Sequence, residues 1–345
     1  MRKVNVGVVG CGQVAQGVYL PEFHRIAEKA VLVAVCDRME GRAREAQQRF
    51  GAHAYFSDLD QFLRESDAEI VVNLTPHRAH ALVSRAALQA GRHVYTEKPM
   101  AQTLEEATDL METAERHHVK FACAPITLLL PSQRRWQQLL REGTIGRVTF
   151  ARAQALFPPI WDNFPPEHAW YFAAGSGPLM DMGVYLLTAL TGLFGPVSRV
   201  SAMAGTILHE RIIGDGPAAG THIPMEAEDS IHLHLDFGSF FAALDVSWCV
   251  HATRNELLEV YGEQGTLSGD PLYANSLVYV FRPGQTWSVE EPTQQWPRND
   301  DWFQGVAHLV DCVRENTEPV NSAAHARHVL DIMLTALRSA REGRA

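Results

Sequence analysis

The stretch Val4-Asn5-Val6-Gly7-Val8-Val9-Gly10-Cys11-Gly12-Gln13-Val14-Ala15 decides the fold. Val4 to Val9 is a short, nearly continuous apolar run, the pattern of a strand covered on both faces in a parallel sheet. Gly10-Cys11-Gly12-Gln13-Val14-Ala15 comes directly after it and matches GxGxxG/A. The first glycine permits a tight turn. The second lets a pyrophosphate approach the backbone, and the small Ala15 lets the next helix pack close to the strand. The helix amino terminus then offers its N–H groups to phosphates. Alone this motif is weak, but the next strand strengthens it. Val31 to Cys36 reads as that second strand and ends at Asp37, 25 residues beyond Gly12. A carboxylate there can bind the adenosine ribose hydroxyls. The plainer alternative for Asp37 is a helix cap or loop residue. Asp37 argues for NAD, because a carboxylate repels a 2′-phosphate. Arg38 beside it is the residue type that accepts one, so NADP stays open.

The pattern continues outward. Arg42 to Phe50 reads as a helix ending at Gly51, Asp58 to Glu65 as a short helix, and Ile70 to Leu74 as a buried strand. Thr75-Pro76-His77-Arg78-Ala79-His80 comes after that strand. A helix from Ala81 to Ala90 closes at Gly91, and the strand His93 to Thr96 ends in Glu97-Lys98-Pro99. Alternating strands and helices with short links predict a right-handed, doubly wound parallel sheet, a Rossmann domain. Ligands in such sheets sit at the carboxyl ends of the strands. Gly10, Asp37, Thr75 and Glu97-Lys98 all fall there.

The remaining composition narrows the setting. The chain has 345 residues, 46% hydrophobic and 20% charged, which suits two domains with sizeable cores and excludes global disorder. A formal charge of −10 without a basic tract argues against nucleic acid and anionic membranes as partners. No apolar run approaches the ~20 residues of a membrane span. Met1-Arg2-Lys3-Val4-Asn5 runs straight into the motif, without the long apolar stretch and cleavage site of a signal peptide. The five cysteines (Cys11, Cys36, Cys123, Cys249, Cys312) form no CxxC pair and read as reduced thiols of a cytoplasmic protein. His232 with His234, and His117 with His118, lack partners at metal-site spacing, so no metal is expected.

Beyond the first domain the reading changes. Strand-like segments run over 146–156, 197–203, 231–237, 240–250 and 257–261, several with alternating polarity. Asp236-Phe237-Gly238-Ser239 and Gly262-Glu263-Gln264-Gly265 read as hairpin turns. Residues 214–224 read as a surface loop and 283–298 as an arm or an edge strand. Helices are expected over 303–314 and 322–340.

Gly10-Cys11-Gly12-Gln13-Val14-Ala15, Asn73-Leu74-Thr75-Pro76 with His80, and Gly91-Arg92-His93-Val94-Tyr95-Thr96-Glu97-Lys98-Pro99 together resemble the glucose–fructose oxidoreductase / inositol dehydrogenase (Gfo/Idh/MocA) family. So do residues Gly175 to Tyr185, Leu258 to Leu267, and the final helix around His325 to Leu330. The resemblance covers nearly the whole chain. It implies a Rossmann domain over 1–124 and an α+β substrate-binding domain over 125–302, built on a large open antiparallel sheet. It further implies that the closing helix, within 303–340, returns toward the first domain, and that the sheet forms the interface of a homodimer or homotetramer. The activity implied is NAD(P)-dependent oxidation or reduction of a sugar, a sugar derivative or a cyclic polyol.

On that resemblance the cofactor contacts fall to Gly10, Gly12, Gln13, Val14, Asp37, Arg38, Thr75, Pro76, His80, Glu97 and Lys98. Lys98 stands beside the nicotinamide, where its ammonium polarises the substrate oxygen. Asp181 and Tyr185 are four apart, so both face one side of a helix, with Thr188 one turn on. Ser176 reads as its cap and Pro178 as its first turn. Inositol dehydrogenase-like members carry Asp-x-x-x-His where this chain has Tyr185, which resembles the tyrosine-bearing branch. Tyr185 is then the proton acceptor, its phenolate favoured by nearby positive charge. Asp181 binds a substrate hydroxyl or orients Lys98. The plainer alternatives are a core tyrosine, a helix-dipole carboxylate and a solvated lysine. His168, Trp161, Trp170 and Thr188 are candidate substrate contacts. Two other functions stay open: transient oxidation that serves glycoside cleavage, and a nucleotide-binding regulator without catalysis.

Overall fold

The computed structural model describes residues 2–159 and 166–343. The chain divides into two compact units, Met1–Leu129 with Asp301–Leu330, and Leu130–Asp300 with Asp331–Ala345. The last helix, Ala323–Glu342, therefore belongs in its first part to one unit and in its remainder to the other.

The first unit holds six parallel strands: β1 (Val4–Val9), β2 (Ala30–Cys36), β3 (Ala54–Phe56), β4 (Ile70–Asn73), β5 (His93–Thr96) and β6 (Phe121–Cys123). Their order is β3-β2-β1-β4-β5-β6, with β1 and β4 at the centre. The apolar run of β1 forms a strand because both faces are covered: Val4, Val6, Val8 and Val9 are all buried. Val6 and Val8 pack with Val35, Ile70, Val72 and Tyr95, and the helix Gln304–Glu315 adds Val306, Leu309 and Val310 to this core. Register aligns the strand ends. Val9 stands opposite Cys36 and Asn73, Asn73 opposite Thr96, and Thr96 opposite Cys123. Gly10, Asp37, Leu74 and Glu97 therefore leave the sheet side by side.

One element differs from expectation. The segment after the glycine loop is a π turn, Ala15–Tyr19, followed by a 3-10 segment, Leu20–Ile26. Pro21 explains the break: it has no N–H to give to the carbonyl one turn back, so a regular α-helix cannot run through it. Elsewhere the caps act as their sequence suggests. Asp58 accepts from the Gln61 N–H at 2.8 Å, and Thr103 from the Glu106 N–H at 3.1 Å.

The second unit is built on β7 (Val148–Leu156), β8 (Arg199–Gly205), the hairpin pair β9 (Glu210–Ile212) and β10 (His222–Pro224), then β11 (Ser230–Asp236), β12 (Phe241–Ser247), β13 (Leu258–Gly262), β14 (Gly265–Gly269), β15 (Val278–Phe281) and β16 (Ser288–Glu290). Eight of them form one sheet, ordered β16-β15-β14-β13-β7-β12-β11-β8. The sheet is mixed rather than wholly antiparallel, because β7 and β12 run parallel. A parallel pair needs a long crossover. The chain supplies one between these strands, through the helix Val184–Phe194 and strands β8 and β11. Both expected hairpin turns join antiparallel neighbours, β11 to β12 and β13 to β14. Part of 214–224 proves to be strand β10, because Ile213, Ile223 and Met225 pack against Phe172 and Trp248. Residues 288–290 supply the edge strand. Along β11 the residues Ile231, Leu233 and Leu235 turn into the core while His232 and His234 turn outward.

Candidate active site

The two glycines of the opening loop serve different purposes. Gly10 has φ +94°, and a Cβ there would stand 2.7 Å from the backbone of Leu74 and Thr75. The residue must be glycine so that the ends of β1 and β4 can meet. Around Gly12 a Cβ would meet nothing within 4 Å. That open backbone is the space a pyrophosphate requires, so the loop fits a dinucleotide. Gln13 and Val14 are exposed at its rim.

Asp37 is anchored at the tip of β2. Its carboxylate accepts from the Cys11 N–H at 2.9 Å and from the Met39 N–H at 2.8 Å. The glycine loop and the Asp37 carboxylate are thereby one piece. Arg38 is exposed beside it.

The loop after β4 is organised by Asn73, which opens the Asn73-Leu74-Thr75-Pro76 motif but had no role of its own in it. Asn73 is fully buried; its amide donates to the His80 carbonyl and to Ser84 Oγ, both at 3.0 Å. Its oxygen accepts from the Thr75 hydroxyl at 2.6 Å. His80 is 1% exposed, and its ring nitrogens lie 2.7 Å from the carbonyls of Thr75 and Pro99. Burial draws the His80 pKa below the ordinary histidine value, against the pull of the Pro99 carbonyl, Glu97 and the Thr75 carbonyl. His80 and the Thr75 hydroxyl are thus occupied within the protein. They shape the loop from behind, while Pro76 stands exposed at its surface.

Glu97 is likewise held from both sides. Its Oε1 accepts from the Tyr19 hydroxyl at 2.5 Å and its Oε2 from the Lys98 N–H at 3.0 Å. Lys98 comes next, half-buried, ahead of a cis Lys98–Pro99 bond. Pattern reading overlooked Tyr19 altogether, and it quoted Asn73 within a motif without giving it a role. Their signal was faint: a polar group ending an apolar strand, and an aromatic ring in a helix too short to show a periodic face.

In the second unit, the segment Gly175 to Tyr185 is not one regular helix. A π turn over Leu179–Gly183 precedes the helix Val184–Phe194. Asp181 lies within the π turn and Tyr185 in the first α turn, both half-buried. The spacing of four that suggests one shared face assumes 3.6 residues per turn, and a π turn is wider. Ser176 does not cap this helix; its hydroxyl donates to the Trp170 carbonyl at 2.9 Å. Gly177, at φ +91°, passes so close to Glu228 that a Cβ would stand 2.7 Å from its carbonyl oxygen. At Gly183 a Cβ would meet Leu179 at 2.7 Å and Val246 of β12 at 3.3 Å. The glycine lets the helix lie close on the sheet. Gln133 and Gln137 donate to the carbonyls of Ala189 and Gly192 and hold the helix from its other side. Thr188 is buried, and its hydroxyl bonds back to the Val184 carbonyl at 2.7 Å. Trp170 is half-buried and stacks on Tyr171, with ring centroids 4.0 Å apart. Trp161 and the side chain of His168 lie outside the described residues.

Among the described residues no three His, Cys, Asp or Glu side chains gather as a metal site requires, and His232 pairs instead with Asp245 at 2.7 Å. Burial pushes the thiols of Cys11 and Cys36 up to about 12, which makes them inert packing groups.

Comparison with known proteins agrees with this arrangement. Residues 4–124 match the model of an oxidoreductase family with an NAD-binding Rossmann fold, and residues 133–268 match the GFO/IDH/MocA C-terminal domain. The chain is 26% identical over 294 residues to levoglucosan dehydrogenase of Pseudarthrobacter phenanthrenivorans, spanning 77% of this chain and 73% of that protein. It is 26% identical over 313 residues to D-xylose dehydrogenase of Paenarthrobacter nicotinovorans, spanning 85% and 76%. Among solved structures, aldose-aldose oxidoreductase from Caulobacter crescentus complexed with glycerol superimposes with a TM-score of 0.81 at 26% identity, over 99% of each chain. With glycine loop, anchored Asp37, Glu97-Lys98 turn and mixed sheet all in place, the chain belongs to the GFO/IDH/MocA family of oxidoreductases with an NAD-binding Rossmann domain.

Proposed function

We propose that this protein transfers hydride reversibly between NAD and a secondary carbinol of a sugar, a sugar derivative or a cyclic polyol. The observation that carries the reading is the alignment at the strand ends of the first unit, where open Gly12, anchored Asp37 and Lys98 leave one sheet edge together. Bound NAD supplies a hydride acceptor at C4 of its nicotinamide. The chain supplies the rest. Lys98 donates to the substrate oxygen and stabilises the charge that gathers there. Tyr185 takes the hydroxyl proton in oxidation and returns it in reduction. Asp181 holds a neighbouring substrate hydroxyl. Gly10, Gly12, Gln13, Val14, Thr75 and Pro76 shape the loops that face the cofactor, and the Asp37 carboxylate favours NAD over NADP.

A panel of sugars and polyols, assayed separately with NAD+ and NADP+ by absorbance of the reduced cofactor, tests this. We expect oxidation of at least one pyranose or cyclic polyol, with NAD+ preferred. Silence across the panel with NAD+ still bound overturns the reading, and release of a glycoside's leaving group without net NADH points to transient oxidation instead. We further propose a cytoplasmic setting, supported by four buried free thiols, and a homodimer or homotetramer through the outward sheet face. That face exposes Met203 (78%) and Phe241 (58%).

A further inference from the structure

The turn that carries Lys98 is braced by side chains outside the GxGxxA loop. Tyr19 ends the π turn after the glycine loop and is wholly buried. Its hydroxyl reaches Glu97 Oε1 at 2.5 Å, and the opposite oxygen of the same carboxylate holds the Lys98 N–H at 3.0 Å. The Tyr95 hydroxyl lies 3.4 Å from that of Tyr19. Gly305 closes over this pair, since a Cβ there would stand 2.4 Å from the Tyr95 oxygen. Burial, with Glu97 adding to it, pushes the Tyr19 pKa well above the ordinary tyrosine value, so Tyr19 stays a donor.

We propose that Tyr19 and Glu97 form a positioning strut for Lys98: the phenol orients the carboxylate, and the carboxylate fixes the lysine's backbone at the end of β5. Hydrogen bonds to an ionised acceptor are short and strong, which suits a strut. Each carboxylate oxygen holds its own donor, so Glu97 cannot rotate without breaking a bond. Because Tyr19 lies on the segment that begins at the glycine loop, one chain of contacts joins the dinucleotide cradle to the lysine turn. The strut's effect on turnover rests on the reading of Lys98 as the catalytic lysine; its effect on Lys98 geometry does not.

The sequence offers a direct probe. It contains four lysines, Lys3, Lys29, Lys98 and Lys120. Reductive 13C-methylation therefore gives a sparse lysine spectrum, in which a Lys98→Arg variant assigns the Lys98 signal. In Tyr19→Phe, which keeps the ring and loses one hydroxyl, we expect the Lys98 signal and its pH titration to move while the other three stay. Turnover should fall about five- to tenfold, the equivalent of one hydrogen bond, with NAD+ affinity changed less. Glu97→Gln should act alike, and the double variant should cost no more than the worse single one, as one shared strut requires. A Lys98 signal unmoved in Tyr19→Phe, with only the unfolding temperature lowered, overturns the strut. Should Glu97→Gln not fold, Tyr19→Phe alone decides. Lys98→Met separates the two readings: full turnover in that variant removes Lys98 from catalysis, while the methyl spectrum still decides the strut.

Discussion

Gly10 and Gly12 show how two identical residues in one motif carry different duties. Gly10→Ala places a Cβ 2.7 Å from neighbouring backbone at φ +94°, and backbone cannot yield as a flexible side chain can. We expect it to cost at least about 1–2 kcal/mol of stability. In Gly12→Ala the added methyl meets nothing within 4 Å, so the variant should fold with little change in unfolding temperature and yet lose NAD+ binding by tenfold or more, as calorimetry would show. Equal effects of both on stability would contradict this division. Tyr185→Phe should cut turnover by ~10²-fold with NAD+ affinity nearly unchanged; undiminished turnover removes the phenol from the mechanism. Asp270 gives a stability prediction. Burial raises its carboxyl from 3.8 to about 6, against the Leu272 N–H that its Oδ1 accepts. A folded-state pKa above the unfolded value means the charged form is disfavoured by folding. Asp270 therefore costs stability above pH 6, and the cost fades as pH falls from 6 towards 3.8. Asp270→Asn should raise the unfolding temperature at pH 7.5 by on the order of 2–4 °C and lose that advantage near pH 4.

Two segments beside the candidate site residues hold π turns, Ala15–Tyr19 behind the glycine loop and Leu179–Gly183 ahead of Tyr185. Such turns widen the local helix and re-aim side chains. In the first, the wider turn brings Tyr19 to Glu97. In the second, Gly183 is where the turn presses on β12. Gly183→Ala sets a methyl 2.7 Å from Leu179 and 3.3 Å from Val246. We expect a loss of about 1–3 kcal/mol in urea unfolding, together with a fall in turnover because Asp181 and Tyr185 shift with the helix. Unchanged turnover in a destabilised variant would detach this helix from the chemistry. The sequence made these elements legible as helices, because Leu179, Leu186 and Leu190 mark an apolar stripe. It did not make the π turns legible, because one extra residue per turn leaves no mark in a pattern only five residues long.

Over the whole molecule, the net charge of −10 does not describe the dinucleotide end. The open backbone at Gly12, the amide-anchored Asp37 and half-buried Lys98 set the local field there. The large sheet poses a different problem, since its outward side carries Phe241, Met203 and a Phe150–Tyr261 stack. Apolar groups gathered on one sheet face suit the oligomer interface proposed above. Met203→Lys with Phe241→Asp is expected to shift the mass in light scattering from an oligomer to a monomer and leave the unfolding temperature of the separated chain within a few degrees. An unchanged oligomer would place the interface elsewhere.

Sequence by itself determined the parallel sheet and the dinucleotide loop, because an apolar run, glycines at two fixed offsets and a carboxylate at the next strand end are all local signals. It likewise put forward Lys98, Asp181 and Tyr185 as candidates, through short motifs that resemble the family's. Only tertiary structure decided what those motifs rest on. Asn73 ties the β4 loop, His80 serves from behind the loop, and Tyr19 meets Glu97 across 78 positions of sequence. It also decided that β7 and β12 run parallel. The physical reason is the same in each case. Hydrogen bonds between buried polar groups, and strand direction across a long crossover, depend on which distant segments meet, and spacing along the chain does not encode that meeting.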